Sequence, residues 1–328
     1  MSTVARAATV SAPKQLAITE GPIPIAEPGQ VVVQVRYCGV CGTDVHGFEA
    51  PEMLPPAVFG HEWTGAVVAT GDGVDTVAAG DRVAVAVGPA CGTCSMCRAG
   101  HPEHCDTAFS EANGVTPDAP PHGGFATHIA VAERRVVALL DGITDEQAAI
   151  VEPTAVTFHA VRRTMVPLGA IVVVQGAGPI GLLTAQLARH AGAGRVLISE
   201  PVPARRDAAR GLGFSDVFEP GADLTEALTA LTSSRGADVL FECTGVAGLL
   251  QPSAELFAVA APSRSSATPP SCRRCRTGTG WPASSASWPR SPTSTRTSSA
   301  RCSRSRRGPS LSAPWSPASS GSTAWPTS

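Results

Sequence analysis

A chain of 328 residues exceeds the roughly 250 at which a single hydrophobic core stops growing, so two domains with a cleft between them are expected. The formal net charge of -2 and the lack of a basic block from Met1 to Ala261 exclude a nucleic-acid or membrane-surface footprint there, and no stretch approaches the ~18 apolar residues that span a bilayer. A small-molecule partner and a cytoplasmic location are the resulting expectations, because Met1 to Gln15 lacks the apolar core of a secretion signal.

From Thr3 to about Ala138, short apolar runs alternate with turn signals: Val31 to Val35 after Glu27-Pro-Gly29, Gly65 to Ala69, and Arg82 to Val87 after Gly80-Asp81. That spacing predicts an all-β unit. From about Asp145 the period changes. Helical spacing covers Asp145 to Arg163 and Ile180 to Ala191, and between them Ile171 to Val174 is a β-branched strand bounded by glycines. Strand, helix and strand follow at Val196 to Ser199, Pro203 to Leu212 and Asp238 to Phe241. This alternation predicts an α/β unit with a doubly wound parallel sheet. The expected partition is 1–155, 156–261 and 262–328.

After Ala261 the composition breaks. The 67 residues from Pro262 to Ser328 include 20 Ser, 10 Pro and 10 Arg, no Asp or Glu, and only Leu311 from the Leu, Ile, Val and Phe set. With so little apolar area to offset ordering entropy, the tail is expected to be disordered, and the Cys272-Arg-Arg-Cys275 pair within it to arise by chance.

Two groups of metal-ligating residues stand out. Cys91-Gly-Thr-Cys94-Ser-Met-Cys97 and Cys105 place four thiols on one tight loop, and two-residue gaps let the sulfurs converge on a tetrahedral Zn2+. Four protein ligands leave no open position, so such a site folds the loop and does no chemistry. The second group is dispersed: Cys41, the pair His61-Glu62, and Glu152 in Val151-Glu-Pro-Thr154. One sulfur, one imidazole and carboxylates suit a zinc that keeps a position for water or substrate, although each alone also reads as an ordinary core or turn residue. Cys38 is read as a small apolar core residue.

Gly176-Ala-Gly178-Pro179-Ile180-Gly181 follows the strand at Ile171 to Gln175 and opens a helix. The pattern supplies a tight turn, close backbone approach to a pyrophosphate and a helix N-terminus with unpaired amides. Glu200 stands 19 residues after Gly181, where an acidic side chain accepts from the ribose 2'-hydroxyl and repels a 2'-phosphate. NAD is therefore expected over NADP. Arg205 and Arg206 follow, and an arginine near this pocket can accommodate the phosphate, so NADP stays the lesser alternative.

Gly39-Val-Cys-Gly-Thr-Asp-Val-His46, Gly60-His-Glu-Trp-Thr-Gly65, Gly80-Asp-Arg-Val83 and the four-cysteine loop together resemble the zinc-dependent medium-chain alcohol and polyol dehydrogenases, in order and spacing, from roughly Val31 to Leu256. The resemblance implies a GroES-like catalytic domain followed by a Rossmann-type cofactor domain and two zinc ions per chain. It further implies that Cys41, His61 and Glu62 ligate the catalytic zinc, that Glu152 joins them directly or through water, and that Thr43 and His46 relay the released proton to solvent. The implied reaction is hydride transfer from a secondary alcohol or polyol to NAD, with zinc as the Lewis acid that activates the hydroxyl. A carboxylate at Glu152, where other alcohol dehydrogenases carry cysteine, points to the sorbitol, butanediol and threonine dehydrogenase branch. A zinc-free quinone reductase of the same fold is disfavoured by the ligand set as a whole.

Against that family the chain departs after Leu256. Ala258-Val-Ala-Ala-Pro-Ser-Arg-Ser-Ser266 stands where a glycine turn and an apolar strand are expected, which suggests a frameshift near Phe257 to Ala261. The Rossmann sheet would then be incomplete, stopping at Asp238 to Phe241 with its outer edge unpaired and the helix from Ile180 partly uncovered. The homo-oligomer usual for the family would be in doubt, and the chain would be poorly stable or a catalytically dead zinc-binding remnant. Reading the gene in the other frames beyond codon 257 tests this: neither restoring a glycine turn and an apolar strand would sink the frameshift.

Overall fold

The computed structural model describes residues 4–50, 59–108, 123–246, 248, 249, 253, 256 and 275–277. The chain divides into two units, Met1–Trp281 and Pro282–Ser328, and the second lies wholly outside the described residues. Outside them too are the composition break at Phe257 to Ala261 and nearly all of the tail for which disorder was expected.

In the first unit, β1 (Val4–Ala12) and β2 (Gln15–Pro22) form a hairpin. A five-stranded antiparallel sheet has the order β6-β3-β4-β5-β7, from β3 (Gln30–Gly39), β4 (Glu62–Thr70), β5 (Arg82–Val85), β6 (His128–Ala132) and β7 (Val136–Ala138). Val31, Val33, Val67, Val83, Ile129, Val131 and Trp63 fill one core from this sheet. Val31 and Val33, Val83 and Val85, and Ile129 and Val131 recur at the two-residue period of one strand face, while Val32, Thr64 and Ala84 between such positions are buried on the other face. Helix α1 (Gly42–Glu49) lies between β3 and β4, and the short α2 (Ser95–Arg98) lies within the cysteine loop.

The predicted helix from Asp145 to Arg163 is two helices, α3 (Asp145–Ala149) and α4 (Val151–Thr164), meeting at Ile150. Pro153 has no amide to reach back to Ala149, so the ladder cannot run through, and it restarts where the Thr154 amide donates to the Ile150 carbonyl at 3.0 Å. Thr144 and Gln147 close the start of α3 as a reciprocal capping box.

The parallel sheet has the order β10-β9-β8-β11-β12, from β8 (Ile171–Gln175), β9 (Arg195–Ser199), β10 (Val217–Phe218), β11 (Val239–Glu242) and β12 (Cys275–Thr277). Its helices are α5 (Pro179–His190), α6 (Pro203–Gly211) and α7 (Ala222–Thr232). Val172, Val174, Val196, Ile198 and Phe241 face the cluster that includes Ala185 and Ala188 of α5 and Ala209 of α6. Val173, Leu197 and Leu240 face Leu224 and Leu228 of α7. Helices thus cover both faces, and each fully buried valine or leucine contributes about 1.5 to 3 kcal/mol. The chain steps outward from β8 to β9 and β10, then returns to the other side of β8 at β11. Ligands of such sheets bind at this switch point, beyond the carboxyl ends of the strands.

One expectation is corrected. The outer edge of β11 is not bare: Leu240, Phe241 and Glu242 pair in parallel with Cys275, Arg276 and Thr277. An open edge presents a row of unpaired amides and carbonyls, and the apolar poverty of the tail does not stop its backbone from satisfying them. Where α5 meets α4, an apolar groove of about 300 Å³ is lined by Phe158, Val161, Met165, Val166 and Leu187.

Candidate functional site

The pairing of β3 with β4 sets Gly39 opposite Glu62 and Cys38 opposite Trp63, so Cys41, just past β3, meets His61 and Glu62 at the start of β4. One ligand atom from each of Cys41, His61 and Glu62 lies within 4.8 Å of the others, and all three residues are half-buried. Gly39 is what lets the carboxylate in: a Cβ there would stand 2.2 Å from Glu62 Oε2. Cys41 is the N-cap of α1 and Asp44 its N3 residue, and Asp44 is buried. Asp44 accepts the Cys41 amide at 2.9 Å and the Gly60 amide at 3.1 Å, and its Oδ1 lies 3.7 Å from His61 Nδ1.

These groups act on one another. The hydrogen bond with His61 lowers the Cys41 thiol. Burial by itself would lower the His61 imidazole, but the Cys41 sulfur and the Asp44 charge carry it up to about 9. Burial raises the carboxyls of Glu62 and Glu152. Glu152, in the first turn of α4, is outside the 4.8 Å cluster, yet its charge is among those raising His61. A thiol and two carboxylates around one imidazole form a negatively charged, partly desolvated donor set, which fits a divalent cation. Thr43 and His46 stand three residues apart on α1, both exposed, with Thr43 Oγ1 3.8 Å from Cys41 Sγ. Cys38 behaves as read from sequence: burial pushes its thiol up to about 12.

The sulfurs of Cys91, Cys94, Cys97 and Cys105 lie within 4.8 Å of one another. Backbone amides point at them, from Cys91 to the Cys105 sulfur at 3.3 Å, from Cys94 to that of Cys91 at 3.3 Å and from Cys97 to that of Cys94 at 3.5 Å. Hydrogen bonds from Thr107 and Thr93 bring the Cys91 thiol down to about 5. Burial and hydrogen bonds with the Cys94, Cys105 and Cys91 sulfurs hold the Cys97 thiol up to about 12. Tetrahedral zinc fits this donor set. Beside the lobe, Arg163 of α4 holds Glu103 at 3.2 Å.

At the end of β8 the Gly176 amide donates to the Ser199 carbonyl at 2.7 Å, tying the loop to β9. Gly178 is the N-cap of α5 with no side chain capping it, and Pro179 occupies the first helical position. The Ile180 and Gly181 amides therefore open the helix without intrahelical partners, since that of Leu182 already reaches Gly178. A Cβ at Gly181 would lie 1.8 Å from the Gly176 carbonyl oxygen, so only glycine permits so tight a turn. A pyrophosphate fits a cradle of this kind. Glu200, at the tip of β9, is buried, and its oxygens accept the amides of Ala177 at 2.7 Å and Val202 at 2.9 Å. Arg205 is exposed, and Arg206 folds back to donate to the carbonyls of Glu200 and Pro201.

Residues 27–141 match the family model for the alcohol dehydrogenase GroES-like domain, and residues 179–262 match that for zinc-binding dehydrogenases. A sorbitol dehydrogenase of Bacillus subtilis is 32% identical over 253 residues, which cover 75% of this chain and 70% of that protein. The chain belongs to the zinc-dependent medium-chain alcohol dehydrogenase family. An (R,R)-butanediol dehydrogenase of Neisseria gonorrhoeae is 36% identical over 70% of this chain and 68% of its own length. A crystal structure of a putative zinc-binding dehydrogenase from Sinorhizobium meliloti, bound to NADP, superposes with a TM-score of 0.69 at 30% identity, covering 78% of this chain and 75% of that one. As in that family, a GroES-like part precedes a Rossmann-type parallel sheet. No helix among the described residues is long and apolar enough to cross a membrane.

For this dehydrogenase, two features escaped the sequence. Asp44, between Cys41 and His46, carries the signal of an acidic residue at the third helical position, a capping cue. The contact between Arg163 and Glu103 carries none, because it joins residues 60 apart in different elements. The sequence offers the loops around 48–56 and 109–113 as candidates for lining the substrate pocket, and these lie largely outside the described residues.

Proposed function

We propose that this chain is built to transfer hydride from a secondary alcohol or polyol to NAD at a zinc held by Cys41, His61 and Glu62, with Glu152 as a fourth or water-bridged ligand. The convergence of the first three within 4.8 Å at the β3–β4 junction carries the proposal. When bound, zinc supplies a Lewis acid that brings an alcohol's pKa toward neutrality, and NAD supplies the hydride acceptor.

The chain's own residues do the rest. Asp44 fixes the orientation of Cys41 and His61 through the contacts above. Thr43 and His46 share an exposed face of α1, one turn beside Cys41, and so provide a hydroxyl and an imidazole along which a proton can leave for solvent. The Gly176–Gly181 turn holds the pyrophosphate, and Glu200 favours NAD over NADP by meeting the adenosine ribose. Cys91, Cys94, Cys97 and Cys105 hold the structural zinc.

The test uses the purified 328-residue chain with zinc, assayed for NAD reduction against sorbitol, 2,3-butanediol and threonine. Turnover with one of these, abolished by Cys41→Ser, supports hydride transfer by the chain as it stands, and a folded chain without turnover supports the remnant that the incomplete Rossmann sheet leads one to expect. A second reading, a chain that binds metal without turnover, is favoured by the composition break and by matches that cover only 70% and 68% of these relatives. Two zincs with NADH binding support the enzyme; one zinc and no dinucleotide binding support the remnant.

A further inference from the structure

Arg205 and Arg206 stand in the first turn of α6, just after Glu200 at the tip of β9, and both could read as ligands for a 2'-phosphate. The structure separates them. The Arg206 guanidinium donates from Nη1 to the carbonyls of Glu200 at 2.8 Å and Pro201 at 2.6 Å, and its Nη2 lies 3.7 Å from Glu219. Its side chain is 14% exposed.

Arg206 is the fourth residue of α6, near the positive end of that helix, where a cation is disfavoured. It is held there by the two carbonyls that leave β9 and by the Glu219 carboxylate. Glu200 is 2% exposed, and each of its oxygens already accepts one backbone amide, Ala177 in the phosphate loop and Val202 at the N-cap of α6. A carboxylate oxygen has room for a second donor, so a ribose hydroxyl can still be met. A phosphate in that position would face a buried anion with the Arg206 donors already committed elsewhere.

We propose that Arg206 is a positioning residue for cofactor choice: it clamps the backbone of Glu200 and Pro201, holds the Glu200 carboxylate against the Ala177 amide, and thereby sets selectivity for NAD over NADP without touching either. This rests on the dinucleotide assignment above.

The experiment titrates NADH and NADPH, by their fluorescence, into the full chain and into the Arg206→Met, Arg206→Lys and Glu200→Gln variants, with zinc content and circular dichroism as folding controls. Arg206→Met keeps most of the aliphatic stem and removes the donors. It should weaken NADH about tenfold while NADPH binding stays level or tightens, and Arg206→Lys should recover part of the loss. Should Arg206→Met prove unfolded, the NADH-to-NADPH ratio of Arg206→Lys decides alone. NADPH weakened with NADH unchanged would make Arg206 a phosphate ligand, and equal weakening of both would make it a mere prop; either result overturns the inference. Wild-type chain that binds neither dinucleotide removes the underlying assignment instead. An unchanged ratio in Glu200→Gln removes Glu200 as the discriminating group and the inference with it.

Discussion

Asp44 Oδ1 stands 3.7 Å from His61 Nδ1 while the same carboxylate accepts the amides of Cys41 and Gly60, so one buried side chain governs the orientation of two candidate zinc ligands. Replacing it with alanine leaves two amides without their acceptor and removes the charge that stands 3.7 Å from the imidazole. Asp44→Ala is therefore expected to weaken metal affinity at this site about 10- to 100-fold and to leave the four-cysteine site loaded. Competition with a chromogenic chelator, counting zinc released in two steps, checks it. Asp44→Asn, which keeps one acceptor, should fall between.

The cysteine lobe can be tested apart from the chemistry. Cys97→Ser is expected to lower bound zinc from two ions per chain to one, and to cost roughly 2 kcal/mol or more, a fall of about 4–8 °C in thermal midpoint. Metal analysis by atomic emission and a melting curve suffice. An unchanged midpoint with one zinc lost would mean that the lobe is not a structural element.

Gly181→Ala places a methyl group where only 1.8 Å separates it from the Gly176 carbonyl oxygen. Backbone cannot yield as a flexible side chain would, so the turn must open. NADH affinity should fall at least about tenfold with zinc content unchanged, as measured by fluorescence titration.

Acid sensitivity follows from carboxylates at the surface. Hydrogen bonds from Arg82 and Arg36 hold Asp145 below its ordinary value of 3.8, and the Thr76 hydroxyl with the Thr76 and Asp75 amides hold Glu133 below 4.5. Each group is depressed in the folded state, so its contribution is present above the unfolded value and is lost as pH falls through the folded one. Urea midpoints should be level above about pH 5 and decline below about pH 4, with part of the decline absent in Asp145→Asn.

The GroES-like and Rossmann-type organisation was legible because its determinants are local. Val31 to Val35 has four valines in five residues between turn signals, Ile171 to Val174 is apolar throughout, and glycines mark the phosphate turn. The helix break at Ile150 was legible in principle from Pro153, yet was hidden by apolar spacing that runs on across it. The three-residue strand on the edge of β11 was not legible, because its pairing draws on backbone groups common to every residue and leaves no mark in side-chain pattern.

The amino-acid sequence by itself determined the chemistry that could be assembled: which thiols, imidazoles and carboxylates exist, and the glycines that allow a tight turn at Gly176 to Gly181. Only the tertiary structure decided which of them meet. Antiparallel register carries Cys41 to His61 and Glu62, Asp44 is buried behind them, and Arg206 turns back onto β9 while Arg205 stays in solvent. The physical reason is that ligand type resides in a single side chain, whereas distance and burial are properties of pairs brought together by packing of distant segments.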